Sequence, residues 1–233
     1  MARLLFHVGG PAFHPVAEQA QVVRSWLAGT GHEATLIEGN AALELLPAYD
    51  LLVLMGLFHT GQDGPVPYVS PTPAQRQAFA AFVRRRGPIL AHHGGIASYD
   101  DWEAFRHLLG FAWIWGRSNH SRFGEHTVRV VDAEHPVTGG VGDFVVEDEI
   151  YYDLWFDPGV RVHAVAPWDG RDHPMVCTLQ GRADGPGGRV VYLANGHDLR
   201  AFAARPAAGP PGETQDLPLR RLWLQAIAWL TGP

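Results

Sequence analysis

Lysine is missing from the sequence of 233 residues, and all 18 basic residues are arginines. Without lysine the chain cannot form a Schiff base through a side-chain amine or build the lysine-containing phosphate loop of many nucleotide-binding enzymes. We attribute the absence to codon usage. Acidic residues outnumber basic ones by 24 to 18, which gives a formal net charge of −6. Nucleic acids and anionic membranes attract basic surfaces, so we predict neither as a partner.

Cysteine and long apolar runs are also scarce. Cys177 is the single cysteine, which excludes an internal disulfide framework and any zinc site built from several cysteines. It falls in a predicted strand, where a buried, inert thiol is expected. The longest strongly apolar stretch, residues 51–58, is too short to span a membrane, and the N-terminal apolar run has no signal-peptide cleavage site. We therefore expect a soluble, cytoplasmic protein.

The apolar pattern predicts one α/β domain over residues 1–233. Buried strands are predicted at 3–8, 34–37, 51–55 and 88–91, and helices at 16–28, 74–86, 99–109 and 217–230. Further strands are predicted at 127–131, 144–151, 160–166, 175–179 and 189–193. Alternating strands and helices followed by consecutive strands indicate a three-layer sandwich with a mostly parallel central sheet and an added antiparallel section.

Histidine is plentiful, with 13 residues, and several follow predicted strands. Ligands bind beyond the carboxyl ends of parallel strands, where the loops converge. These positions make candidates of five residues: His14, His59, His92, His93 and His197. Surface or capping roles suffice for His32, His107, His120, His126, His135, His163 and His173.

Carboxylates and tryptophans add candidates elsewhere. On a strand, Glu147 and Glu149 share one face and Asp148 takes the other, so the segment is either a polar strand face or turns one carboxylate into the cleft. Asp100 and Trp102 open a predicted helix, where an acidic residue is an ordinary cap and the indole either stacks on a sugar or fills the core. Trp113 and Trp115 are further candidates for a sugar platform.

Six segments together carry a resemblance to a known family. They are the Gly9-Gly10 loop with His14, ILAHHGGIASYDDWEAFRHLLG (89–110), EHPVTGG (134–140), EDEIYYDL (147–154), GGRVVYLANGHD (187–198) and AIAWL (226–230). In this order the chain resembles the ThuA-like (trehalose-utilisation) family, over nearly its whole length. The resemblance implies the flavodoxin-like fold of class I glutamine amidotransferase-like domains.

The resemblance also implies site residues. His93 matches the family's strand-end histidine, and Asp148, Glu149 and Tyr151 match its acidic segment. His197 with Asp198 matches its Gly-His-Asp. Two features depart from the pattern: His92 adds a second histidine, and the loops 61–73 and 205–212 have no clear counterpart. Related amidotransferases carry their nucleophilic cysteine at the turn that here reads His-His-Gly-Gly, so thiol-based glutamine hydrolysis should be lost.

The function that follows is an enzyme of carbohydrate metabolism acting on a sugar or keto-sugar. We expect His93 or His197 as general acid/base, Glu149 as its partner and Asp198 orienting His197. The residues expected to bind ligand are His14, His59, His92, Asp100, Trp102 and Tyr151.

Two alternatives remain open at this point. His93, Glu149 and His197, with His59 as a further ligand, can form a site for a divalent metal such as zinc. The chain can also be a non-catalytic sugar-binding or scaffold protein, since fold does not fix function. A homodimer through the apolar closing helix is a further option, although burial within one chain is the favoured interpretation.

Overall fold

The computed structural model describes residues 1–62, 67–181, 188–208 and 217–232. Five α-helices lie in these ranges: α1 (Val16–Trp26), α2 (Ala41–Leu45), α3 (Pro73–Arg84), α4 (Glu103–Leu109) and α5 (Pro218–Thr231). The strands of the same ranges are β1 (Arg3–Val8), β2 (Glu33–Glu38), β3 (Leu51–Leu54), β4 (Ile89–His92), β5 (Phe111–Ala112), β6 (Asn119–His120), β7 (Gly124–Val130), β8 (Phe144–Asp148), β9 (Tyr151–Tyr152), β10 (Trp155–Phe156), β11 (Arg161–Trp168), β12 (Arg171–Gln180), β13 (Arg189–Leu193) and β14 (Arg205–Pro206). Short 3-10 helices occupy Leu46–Ala48, His93–Ala97 and Leu199–Ala203.

Ten strands form the central sheet, in the order β14-β8-β7-β11-β12-β13-β4-β3-β1-β2. From β2 to β13 all neighbouring strands are parallel, and from β13 to β14 all are antiparallel. Strand β13 therefore joins the two parts, because it pairs with β4 in parallel and with β12 in antiparallel fashion. The sheet has the predicted α/β, flavodoxin-like arrangement with an antiparallel addition.

The inner strands form because their residues are apolar on both faces. Strands β3 and β4 are buried along their whole length, as expected for parallel strands covered on both sides. Helix α1 packs against α5, and α2 packs against α3. Helix α3 begins at a capping box, in which Thr72 and Gln75 exchange side-chain and backbone hydrogen bonds.

One face of the closing helix is buried within the chain. Leu222, Trp223 and Ile227 are at most 1% exposed and belong to the core. Their apolar side chains therefore need no second copy of the chain to cover them. None of the helices in the described part of the chain has the length and apolar composition needed to cross a membrane.

Three local predictions are wrong. The helix predicted from residue 99 begins at Glu103, because Tyr99 has a φ of 58° and Asp100 binds Thr60 instead of capping the helix. The strand predicted over 144–151 ends at Asp148.

The third error lies in the predicted loop 205–212, where Arg205–Pro206 pairs with β8 as an edge strand. Residues 209–212 of that loop and residues 63–66 of the predicted loop 61–73 lie outside the described residues. Helix α2 and the short strands β5, β6, β9 and β10 were not predicted.

Candidate functional site

Four side chains from distant parts of the sequence meet where the parallel and antiparallel parts of the sheet join. His14 follows β1, His93 follows β4, His197 follows β13, and Glu149 follows the antiparallel strand β8. Their candidate ligand atoms all lie within 4.8 Å of one another. We call these four residues the central cluster.

The turn after β4 is sharp and places His93 in the cluster. His93 has a φ of 42°, in the left-handed region that non-glycine residues rarely adopt. Gly95 passes so close to β3 that a Cβ there would lie 2.4 Å from the Leu54 carbonyl oxygen. A strained strand-to-helix turn of this kind lifts one side chain above the edge of the sheet.

The polar atoms of the cluster face one another at short distances. Nδ1 of His197 lies 3.1 Å from Nε2 of His14 and 3.2 Å from Oε1 of Glu149. The same Oε1 atom lies 3.5 Å from Nε2 of His93. On its other side, Nδ1 of His93 donates to the Ala194 carbonyl at 2.6 Å, so Nε2 carries the lone pair that faces the cluster.

Burial and neighbouring charges set the ionisation of these groups. Burial, together with the nearby imidazoles of His93 and His197, lowers the pKa of His14 to about 2, so this ring is neutral. Burial opposes the charge on Glu149, but the hydrogen bond from His197 and the neighbouring imidazole of His93 hold the pKa of its carboxyl well below the usual range. Burial likewise opposes a charge on His197, yet Glu149 raises the pKa of that imidazole. The cluster therefore combines an ionised carboxylate, the neutral ring of His14, the lone pair at Nε2 of His93, and Nδ1 of His197, whose proton a bound metal ion would replace.

Asp148 fixes the loop that carries His197. It is fully buried and accepts hydrogen bonds from the Asn195 side chain at 3.1 Å and from the backbone N–H groups of Gly196 and His197 at 2.6 and 3.1 Å. Gly196 has a φ of 150°, and a Cβ there would lie 2.0 Å from Nε2 of His92. This loop conformation therefore requires glycine at 196 and an acceptor at 148.

A cavity of about 340 Å³ opens onto the cluster. Its wall includes His14, Glu149 and His197 from the cluster and the further residues Phe13, Leu57, His59, Ala97, Trp113, Trp115, His120 and Tyr151. His59 stacks on Trp115, with ring centroids 4.1 Å apart, and Tyr151 packs 4.2 Å from His93. His120 places Nδ1 3.0 Å from Oε2 of Glu149, whereas His93 and His197 face Oε1 of the same carboxylate.

Other predicted site residues lie elsewhere. His92 is fully buried, donates through Nε2 to the Asn195 carbonyl, and packs against Trp223 of α5. The Asp198 carboxylate binds Arg200 at 2.6–3.2 Å and caps the following 3-10 helix.

Asp100 and Trp102 lie on the wall of a neighbouring cavity. Glu147 pairs at the surface with Arg200, so it does not share a face with Glu149. The strand ends at Asp148, and the chain then turns the next carboxylate into the cavity.

Sequence reasoning missed the parts played by two residues, His120 and Asp148. His120 reaches the site because β6 pairs with β9, which brings it beside Tyr151, and two-residue strands leave no periodic signal. In the sequence, Asp148 is only one member of the acidic segment. The alternation of apolar and polar residues along a strand does not predict that it is buried.

Comparisons with known proteins agree with this architecture. The family model for ThuA, described as trehalose utilisation, matches residues 3–208. The chain belongs to the ThuA family. A ThuA-like protein from Parabacteroides merdae superposes with a TM-score of 0.73 and 16% identity, over 99% of this chain and 90% of the other. A second ThuA-like protein, from Bacteroides uniformis, superposes with a TM-score of 0.68 and 21% identity, over 98% of this chain and 90% of the other.

The fold extends beyond ThuA proteins. A Thermoplasma acidophilum protein that is described as belonging to a GMP synthase matches with a TM-score of 0.52 and 12% identity, over 98% of this chain and 96% of the other. No curated protein matches the sequence. In this ThuA protein β4 ends at His92 and the turn after it begins with His93, whereas Cys177 is buried inside β12, where burial raises the pKa of its thiol.

Proposed function

We propose that this ThuA protein is a metal-dependent enzyme of carbohydrate metabolism that acts on a sugar or keto-sugar. The observation that carries the proposal is the central cluster, in which three imidazole nitrogens and one carboxylate oxygen converge. His93, Glu149 and His197 were the predicted ligands, and His14 takes the place expected for His59. Three or four nitrogen and oxygen ligands of this kind are typical of zinc sites.

The spacing of the donors fits a small divalent ion. Zinc–ligand bonds of about 2.0–2.1 Å in a tetrahedron place neighbouring ligand atoms about 3.3 Å apart. Three of the six distances among the four ligand atoms, those around Nδ1 of His197 and Oε1 of Glu149, are 3.1, 3.2 and 3.5 Å, and all six are within 4.8 Å. The hydrogen bond from Nδ1 of His93 to a backbone carbonyl is also a common support for a metal-binding imidazole.

An ion held there supplies Lewis-acid polarisation of a carbonyl or hydroxyl oxygen and lowers the pKa of bound water. The chain's own groups would then position the substrate and move protons. His120, whose Nδ1 lies 3.0 Å from Oε2 of Glu149, would hold that carboxylate in place while Oε1 faces the ion.

The cavity next to the cluster suits a sugar ring. Phe13 and Trp115 stand on its wall and remain 59% and 43% exposed, so the Phe13 ring and the part of the indole that His59 leaves uncovered are available to a ligand. Aromatic rings offer apolar faces to the C–H side of a sugar, while imidazole and carboxylate groups bind its hydroxyls. The family description, trehalose utilisation, supports the same substrate class.

A metal-free mechanism is the second candidate, and one contact favours it. Oε1 of Glu149 lies 3.2 Å from Nδ1 of His197 and raises the pKa of that imidazole. An imidazole paired in this way can give a proton to a substrate and take one back, acting as general acid and base while Glu149 stays ionised.

Metal content separates the two candidates. The protein is purified without a histidine tag, and bound metals are measured by mass spectrometry. We expect stoichiometric metal in the wild type and its loss in His93→Ala. His107→Ala is the matched control, because His107 lies exposed on α4, and it should retain the metal. Equal metal in all three proteins, or none in the wild type, removes the metal site.

Product formation tests catalysis separately. Disaccharides and keto-sugars are incubated with wild type and with Glu149→Gln, and NMR spectra are followed over time. Turnover by wild type that is lost in Glu149→Gln supports an enzyme. Binding measured by calorimetry without any product on long incubation identifies a sugar-binding protein instead.

A further inference from the structure

Four protein ligands would fill the coordination of an ion at the central cluster. Zinc is four-coordinate at structural sites, whereas at catalytic sites three protein ligands leave the fourth position to water or substrate. The central cluster offers three imidazoles and one carboxylate, which is one ligand more than a catalytic site of this kind uses. One of the four must therefore leave before a substrate atom can take a tetrahedral position.

Three of the four side chains are held in place from outside the cluster. Nδ1 of His93 donates to a backbone carbonyl at 2.6 Å, and Oε2 of Glu149 lies 3.0 Å from Nδ1 of His120. His197 is held through its backbone N–H, which donates to the buried carboxylate of Asp148 at 3.1 Å. Supporting contacts of this kind keep metal ligands oriented and raise the affinity of the site.

The imidazole of His14 lacks such a support. Its Nε2 faces Nδ1 of His197, so Nε2 would bind the ion and Nδ1 would carry the ring proton. Nδ1 is buried and has no hydrogen-bond partner within the described ranges. A Cβ built at Gly94 would lie 3.0 Å from Nδ1, so this nitrogen faces the backbone of the turn after β4 at a point that offers no acceptor. Because a buried N–H without an acceptor is unfavourable, His14 is the least supported of the four ligands.

His14 also lies on the side of the cluster that faces the cavity. The wall of the cavity of about 340 Å³ includes His14 but not His93. The preceding residue, Phe13, is 59% exposed, and its ring packs against the His14 imidazole with centroids 4.8 Å apart. If the His14 side chain rotates away from the cluster, the position that it leaves opens onto the cavity.

We propose that His14 is an exchangeable ligand, which an oxygen atom of the substrate displaces while His93, Glu149 and His197 stay bound. The inference rests on the proposed function, because it assumes a metal ion at the central cluster. In the exchange the bond between the ion and Nε2 of His14 breaks, and a bond to a lone pair of the entering oxygen forms. The imidazole leaves as a neutral ring, so the step needs no proton and no change of oxidation state. The position accepts a carbonyl or hydroxyl oxygen.

Nitrogen NMR on the wild type tests the exchange directly. The protein carries ¹⁵N-labelled histidine and is loaded with zinc. The probe is acetohydroxamate, whose two oxygens have the spacing of an α-hydroxyketone. At saturation we expect Nε2 of His14 to move from the chemical shift of a zinc-bound nitrogen to that of a free neutral imidazole, while the ligand nitrogens of His93 and His197 keep zinc-bound shifts. Three imidazoles that all stay bound would mean that the ion adds a fifth ligand, which overturns the proposal.

Zinc affinity ranks the ligands independently of the probe. In competitive titrations of the metal-free proteins, we expect His14→Ala to weaken zinc binding by about tenfold or less and His93→Ala by more than about 100-fold, since a supporting contact alone is worth about 10–100-fold. His14→Ala should also bind acetohydroxamate about tenfold tighter than wild type, because no protein ligand has to be displaced. His107→Ala, at an exposed position on α4, is the control and should match wild type in both measurements.

The outcomes separate this inference from the metal centre itself. Equal losses of zinc affinity in His14→Ala and His93→Ala contradict an exchangeable His14. So does binding of acetohydroxamate that His14→Ala leaves unchanged or weakens, or a zinc-loaded wild type that does not bind the probe. Each of these results leaves the metal centre standing with four fixed ligands. A wild type that binds no zinc removes the metal centre, and the exchange with it.

Discussion

Asp148 and Glu149 are adjacent in sequence, but their carboxylates bind different partners. Asp148 accepts three hydrogen bonds from the loop that carries His197, whereas Glu149 faces the imidazoles. Asp148 therefore positions the loop that carries His197, and Glu149 contacts the imidazole of that residue. Asp148 is a positioning residue by this criterion, because the wall of the cavity at the central cluster does not include it.

Replacing Asp148 by asparagine should loosen this loop. Asparagine has one acceptor oxygen in place of two, so at least one of the three donors is left without a partner. We expect a loss of about 1–3 kcal/mol in the free energy of unfolding, the usual cost of an unsatisfied buried group. We also expect zinc affinity to fall by about 10–100-fold, as for other supporting residues. Urea denaturation and competitive zinc titration measure the two effects.

Glu147→Gln is the control for this variant. Glu147 is the neighbouring residue, and its exposed pair with Arg200 should contribute less than about 1 kcal/mol. Similar losses of stability and zinc affinity in the two variants would show that Asp148 has no special part in positioning the loop.

Part of the site could be predicted from single residues and part could not. His93 and His197 follow strands of the parallel part, which made them two of five candidate histidines, and the family resemblance then singled them out. Asp198 was expected to orient His197, but its carboxylate binds Arg200, because adjacent side chains on an extended backbone point in different directions. His120 depends on the pairing of two short strands, which no local pattern reveals.

At the scale of the elements, apolar periodicity predicted the inner strands and the larger helices. This pattern failed to predict the end of a strand where apolar residues continue beyond it. Apolar residues persist through Ile150 and Tyr151, yet β8 ends at Asp148 because that carboxylate bonds with the loop after β13. A tertiary contact of this kind overrides local strand preference. The start of α4 was misplaced for a similar reason, since Asp100 binds Thr60.

The loop after β13 should not tolerate a side chain at Gly196. In Gly196→Ala, a Cβ would lie 2.0 Å from Nε2 of His92, at a φ of 150° that side chains rarely adopt. The backbone conformation alone costs about 1–3 kcal/mol, and the steric overlap adds to this cost. We expect a clear fall in the urea midpoint and weaker zinc binding by the folded protein.

Gly29→Ala separates the effect of backbone strain from the effect of steric overlap. Gly29 follows α1 and also has a positive φ, of 81°, but no atom lies within 4 Å of the position that a Cβ would take there. The Gly29 variant should therefore lose less stability and keep its zinc affinity. An equal loss in both variants would mean that contact with His92 is unimportant.

The stability of the whole molecule should fall in mild acid. His7 is fully buried on β1, where burial lowers the pKa of its imidazole to about 4. Below about pH 6.5 the unfolded chain takes up a proton on this ring while the folded chain does not, so folding becomes less favourable as pH decreases. The contribution is complete above pH 6.5 and is lost down to about pH 4, for a total of about 3 kcal/mol.

Urea denaturation at pH 6.5 and pH 5 measures this effect. Between these values wild type should lose about 2 kcal/mol more than His7→Gln, which keeps an amide for the hydrogen bond with Tyr99. His107→Gln, at an exposed position on α4, should behave as wild type does. The same pH dependence in His7→Gln and wild type would exclude His7 as the cause.

The central cluster also bears on when a metal ion can be selected. His14 and His197 lie 3.1 Å apart in space but 183 residues apart along the chain. Contacts between such distant positions form late in folding, because closing long loops costs entropy. A nascent chain that has not yet joined β1, β4 and β13 offers an ion only isolated ligands. For the metal centre proposed above, the choice among competing metals would therefore be made by the finished protein, and the metal supply during synthesis should not decide which ion is bound.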